Sequence, residues 1–185
     1  MTPPEQLAQT TAMLNRLVDR IWFGQLDSPT PFGAYTVHDL IDRIIVLAAQ
    51  ATPLLCDEPL PAVTPPAVYG WVPAQEFIEA TNSVVAATRL PGALERQVST
   101  PMGPMRGDQL VQHIALVWAV HGWDLARGTG LPWKLDDALV TALGDFARVG
   151  MCESTRDGDT FAYPRPVAPD ATAMDQLAAF VGRDV

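Results

Sequence analysis

Two cysteines in 185 residues cannot build a disulfide framework, and neither Cys56 nor Cys152 has the nearby Cys or suitably spaced His of a zinc motif. Cations are also scarce: 12 Lys and Arg stand against 21 Asp and Glu, a formal charge of -9. Coating a nucleic acid requires clustered Lys and Arg on phosphates, so no nucleic-acid partner is expected. Long apolar runs are missing too. The stretches Ile44–Ala49 and Ile114–Val120 are far too short to cross a bilayer. The N-terminus, Met1-Thr2-Pro3-Pro4, lacks the basic start and apolar run of a signal peptide. The sequence contains no Gly-x-Ser-x-Gly, no Gly-rich phosphate loop with Lys and no His-Glu-x-x-His. These absences lead to the expectation of a cytoplasmic protein with no membrane partner, whose two thiols stay reduced and unbonded.

What is present suits one helical domain. Hydrophobic residues make up 48% of the chain, ample for a core, and no repeat or composition shift divides residues 1–185. Leu7, Leu14, Leu17, Val18 and Ile21 fall at helical spacing and predict a helix from Pro4 to Phe23. Thr36, with Asp39 three residues on, caps a second helix whose stripe is Val37, Leu40, Ile41, Ile44, Ile45 and Ala48. Six prolines between Thr52 and Pro73 predict a loop, and Pro73 opens a third helix to Leu90 that buries Phe77, Thr81, Val84 and Val85. Arg96–Arg106 has the glycine and prolines of a small hairpin or an extended loop. Leu110, Val111, Ile114, Val117, Trp118, His121 and Leu125 form the stripe of a fourth helix that Gly128-Thr129-Gly130 ends. A fifth helix is expected from Asp136 to Val149, then an irregular stretch from Ser154 to Ala168. Thr172 and Asp175 cap a last short helix through Phe180. The fold class is all-α.

His121 draws notice because an imidazole on an apolar stripe is desolvated and needs a partner; it is either a hydrogen-bonded core histidine or a metal ligand. His113 cannot share an ion with it, since eight helical residues separate them by about 12 Å and about 80°. His38 reads as a surface or capping residue. Asp124 and Arg127 are spaced to pair with each other, or to line a cavity mouth. Arg43, four residues after Asp39, reads as one half of an ordinary surface pair. The tryptophans Trp22, Trp71, Trp118, Trp123 and Trp133 suit core packing or an apolar pocket.

The segment His121-Gly122-Trp123-Asp124-Leu125-Ala126-Arg127-Gly128-Thr129-Gly130 resembles the signature of actinobacterial DinB-like proteins related to the N-terminal domain of mycothiol-dependent maleylpyruvate isomerase. Thr36–Arg43 resembles the start of that family's second helix, Thr100–Met105 a loop before its fourth, and Pro169–Asp184 its ending. The resemblance implies a four-helix bundle with additional C-terminal helices, and a divalent metal held between helices two and four. The implied ligand positions are Arg43, Val117 and His121 here, of which only His121 can ligate. Arg stays protonated and Val has no lone pair, so no metal cofactor is expected. If position 43 faces the family's cavity, its guanidinium would stand near the place of the metal's charge and could bind a carboxylate or sulfonate.

Three functions follow as expectations. One is a metal-free binder of a small molecule, in which Arg43 and His121 flank a cavity bounded by Val117 and Trp118. The second is a metal- and mycothiol-dependent transferase or isomerase, which two missing ligands count against. The third is an interaction module that buries an apolar face in a homodimer.

Overall fold

Thr36 does what its position predicts. In the computed structural model, which describes residues 1–60, 74–151, 156 and 160–185, its hydroxyl accepts the Asp39 amide at 3.2 Å while the Asp39 carboxylate takes the Thr36 amide at 2.9 Å. Those bonds satisfy amides left open at the start of helix α2 (Val37–Cys56), and the Thr36 hydroxyl, donating to the Asp39 carboxylate at 2.6 Å, together with the Thr36 amide holds that carboxyl below its usual range. The same chemistry starts α6 (Ala173–Phe180), where Thr172 accepts from the Asp175 amide, and α5 (Asp137–Gly150), where Asp136 accepts from Ala138. Helix α4 (Gly107–Thr129) ends at Gly130 in the left-handed region, φ 71°. Its first residue must be glycine: a Cβ on Gly107 would lie 1.8 Å from the Ala93 carbonyl oxygen.

Three boundaries differ from the sequence expectation. Helix α1 (Pro3–Val18) stops before Phe23; short-range turns then place Ile21 in the core, and Phe23–Gln25 form a 3-10 turn. Helix α3 (Ala74–Ala87) ends three residues before Leu90 and buries Phe77, Thr81 and Val84, with Val85 only partly covered. Helix α2 runs on through Thr52–Cys56 despite Pro53. The ring of Pro53 costs one backbone bond, but Ala51 and fully buried Leu55 anchor the extra turn in the core, and Asp57 closes it at φ 63°. Pro61, Pro65, Pro66, Trp71, Pro73 and Cys152 lie outside the described residues, as does part of Ser154–Ala168; Cys56 is a free thiol. Of the two alternatives for Arg96–Arg106, the hairpin forms: β1 (Gln97–Thr100) pairs antiparallel with β2 (Gly103–Arg106) through the two-residue turn Pro101-Met102.

The described residues are mostly helical, with this one small sheet. Helix α1 packs mainly on α4 and α3, and α2 on α3 and α4, so each of these four helices touches two of the others. Helices α5 and α6 pack on each other and on α4. Trp118, Phe77, Leu7, Leu14, Leu40 and Ile44 are among the fully buried side chains at the centre. None of these helices is long and apolar enough to cross a membrane.

Candidate functional site

Helices α2 and α4 are in contact, and the space between them is not filled. A cavity of about 350 Å³ lies there, within the range of small-molecule sites. Helix α2 contributes Arg43, Leu47, Ala51 and Leu54 to its wall; α4 contributes Leu110, Ile114, Val117 and Trp118. The hairpin turn adds Thr100, Pro101 and Met102, and Thr160 closes one end. Among the described lining residues Arg43 is the one permanently charged side chain, and none is Asp or Glu. Trp118 is fully buried, and its indole N–H has no hydrogen-bond partner among the described residues.

The structure corrects the reading of Arg43 as half of an Asp39 surface pair. Asp39 turns back to cap its own helix, whereas the half-buried guanidinium of Arg43 donates to the Thr160 hydroxyl at 2.7 Å and reaches the Tyr35 hydroxyl at 3.4 Å. His38, near the start of α2, sets its Nε2 3.6 Å from an Asp42 carboxylate oxygen. Burial raises the Asp42 carboxyl above its usual range, opposed by His38 and reinforced by Asp39 and Glu76.

His121 is fully buried and does not line the cavity. It follows Val117 by one turn of α4 and lies behind the wall. Its Nδ1 is 3.4 Å from an Asp124 oxygen. An ionised carboxylate only accepts, so the hydrogen-bond network puts the ring proton on Nδ1 and leaves Nε2 a bare acceptor with no partner among the described residues. Burial lowers the imidazole's pKa; Asp124 pulls the other way, and the positive charges of Arg183 and Arg43 lower it further. The group is therefore neutral at pH 7.

Asp124 does not pair with Arg127, and this second correction shows what the segment His121–Gly130 does. Buried Asp124 takes three bonds from Arg183, at 3.0, 3.2 and 3.1 Å, and Arg183 also donates to the Thr160 carbonyl at 3.0 Å. Arg127 instead pairs with Asp175 at 3.1 Å and stacks over Trp123, whose indole N–H donates to Asp175 at 2.8 Å. Gly122 makes room for Trp133, since a Cβ there would meet its ring at 2.3 Å; Gly128 admits the Pro29 carbonyl in the same way, at 2.9 Å. The segment fastens α6 and the residues beside it to α4.

Phe32 connects these groups. The guanidiniums of Arg183 and Arg43 lie over its ring at 4.6 and 5.2 Å, and the rings of His121 and Tyr35 sit 4.9 and 4.7 Å away. Sequence reasoning missed Phe32, Tyr35, Thr160 and Arg183. Only Arg183 carried a signal, lying in the C-terminal stretch where resemblance was noted. Of the tryptophans, Trp118 lines the cavity, Trp123 is buried, Trp133 is partly buried and Trp22 is exposed.

The three positions assigned to a metal by resemblance do not fit one. Arg43 brings a fixed positive charge, Val117 brings no donor, and His121 offers a single nitrogen. Among the described residues, no three His, Cys, Asp or Glu side chains come together in a way that could hold an ion.

Compared with known proteins, the chain matches no family model and no solved structure. It is 30% identical over 162 residues to the uncharacterized proteins Rv0738 and MT0763 of two Mycobacterium tuberculosis strains, a match covering 87% of this chain and 86% of each relative. The chain belongs to the family of these mycobacterial proteins.

Proposed function

We propose that the cavity between α2 and α4 binds a small, largely apolar molecule bearing an anionic group, and that it does so without a metal. The observation that carries this reading is the composition of the wall: apolar side chains on both helices around one guanidinium, with no Asp or Glu among the described lining residues. In so apolar a setting a carboxylate on Arg43 is held by charge-assisted bonds that water screens poorly. The bundle is read as DinB-like, supported by the ring of contacts among α1, α3, α2 and α4. Arg43 then stands where the resemblance implies that better-known relatives carry a metal-binding His.

The test has two arms. Protein purified without a His tag is analysed by native mass spectrometry for retained small molecules, and titrated with carboxylates by calorimetry. Arg43→Gln should weaken carboxylate binding roughly ten- to hundredfold, the worth of one bond to a charged group. The second arm is zinc titration, in which no stoichiometric site is expected. Stoichiometric zinc binding abolished by His121→Ala would favour the rival reading, a metal-dependent transferase or isomerase using mycothiol.

A further inference from the structure

A smaller chamber of about 210 Å³ lies on the neighbouring face of α4, toward α5. Its walls include Met105, Gln109, Leu116, Phe146 and Met151, and no described lining residue is acidic, Lys or Arg. Met102 and His113 belong to its wall and also to that of the larger cavity. The two spaces therefore adjoin at the tip of the hairpin and at the His113 imidazole, which packs edge-on against buried Phe161 of the chamber wall at 5.7 Å. Met102 is half exposed, beside Gly103 at φ 107°, and a methionine with three rotatable bonds reshapes at small cost.

The combined space has a direction. Its lining residues on α2 run from Arg43 to Leu54, three turns or about 16 Å of helix. The Arg43 end lies by Thr160, whose carbonyl binds Arg183 and through it Asp124 in the later half of α4. The other end lies by the hairpin, where α4 begins, and there His113 gives onto the chamber. Among the described lining residues the one fixed charge is at the Arg43 end, and the far end is rich in methionine. A compact aromatic acid would fill only the first cavity.

Resting on the binding function proposed above, we infer that the cavity and the chamber form one bent site for an unbranched fatty carboxylate. Its head group lies at Arg43 and Thr160, and its chain passes between Met102 and His113 into the chamber. Each methylene added beyond the first cavity leaves water for an apolar wall, which is worth roughly a fourfold gain in affinity.

Calorimetric titration of the full chain with hexanoate, octanoate, decanoate and dodecanoate tests this, with phenylacetate as the compact acid and dodecanol as the uncharged chain. Two variants plug the chamber by independent routes. Met105→Trp fills it from β2. Gly150→Phe fills it from the end of α5, where an added Cβ meets nothing within 4 Å and the helix can accept it. The expected result is affinity that climbs roughly fourfold per methylene through dodecanoate, with phenylacetate and dodecanol weaker than dodecanoate. Both variants should keep hexanoate binding and lose at least about tenfold on dodecanoate. Affinity that stops rising after hexanoate in the unaltered protein, or dodecanoate binding that survives both plugs, overturns the extended site while leaving the first cavity as a carboxylate site. Dodecanol binding as tightly as dodecanoate overturns the placement of the head group at Arg43. No binding of any carboxylate overturns the proposed function itself, and this inference with it.

Discussion

The two halves of α4 share one helix and serve opposite purposes. From His121 to Gly130, nearly every polar or small side chain is committed to a neighbour: Asp124 to Arg183, Trp123 and Arg127 to Asp175, Gly122 to Trp133, Gly128 to the Pro29 carbonyl. From Leu110 to Trp118, the helix lines two unfilled spaces and leaves an indole N–H without a partner among the described residues. The more distinctive part of the sequence is the fastening, and the plainer part is the wall of the candidate site. A segment that carries a family resemblance can therefore mark how the fold is tied rather than where a ligand sits.

If that contrast is right, substitutions in the fastening half should cost stability and those in the hollow half should cost binding. The largest effect belongs to Asp124→Ala. It strands the buried Arg183, only 3% exposed, with its charge uncompensated, and should destabilise the fold by about 3–5 kcal/mol. Urea unfolding measures this. A loss below about 1 kcal/mol would mean that the ion pair is dispensable and would erase the contrast.

Gly122→Ala comes next. Its Cβ would push into the Trp133 ring, so an overpacking cost of about 1–3 kcal/mol is expected, together with altered tryptophan emission as the ring is displaced. In the hollow half, Val117→Ala removes wall rather than fastening. It should enlarge the cavity and change which ligands bind.

A smaller effect concerns pH. Burial depresses the folded-state pKa of His121, so below the unfolded value of about 6.5 the unfolded chain binds the extra proton. Its contribution to stability is complete above that pH and is lost as the pH falls through and below it, at no more than about 1.4 kcal/mol per pH unit. Unfolding measured from pH 8 to 5 should show the protein losing stability relative to His121→Phe only on the acid side. Parallel curves throughout would show that the imidazole is not held neutral.

Where the chain's chemistry is local, the sequence is a sufficient guide. The caps at Thr36 and Thr172, the start of a helix at Asp136 and the stop at Gly128–Gly130 each depend on residues within a turn of one another, and each occurs where expected. Helix α2 outran its predicted end because the burial of Leu55, a tertiary effect, outweighs the local cost of Pro53. The partner of Asp124 lies 59 residues away, and only the fold can choose Arg183 over Arg127 at helical spacing. Arg43, Val117 and Trp118 were legible as candidates through resemblance, and the structure sets all three on the cavity wall with His121 behind it. The hollow was not legible, because it is a failure of side chains to meet and no residue encodes that alone.

The smallest effect sharpens the contrast within the fastening half itself. Arg127 and Asp175 form an ion pair at 3.1 Å, nearly the separation of Arg183 and Asp124, but the Arg127 side chain is 50% exposed and that of Arg183 only 4%. Water screens the exposed pair, and holding a long side chain in place offsets part of its attraction, so its coupling should be under about 1 kcal/mol. A double-mutant cycle with Arg127→Met and Asp175→Asn measures the coupling directly, because effects confined to one partner cancel. The Asp175 carboxylate also accepts the Trp123 indole N–H and the Thr172 hydroxyl, so Asp175→Asn alone should cost more than Arg127→Met. Raising the salt concentration should reduce the coupling of this pair and leave the loss from Asp124→Ala nearly unchanged. A coupling as large as that of the buried pair, insensitive to salt, would show that distance rather than burial sets the strength of these contacts, and the exposed rim would then fasten the C-terminal helix as firmly as the core does.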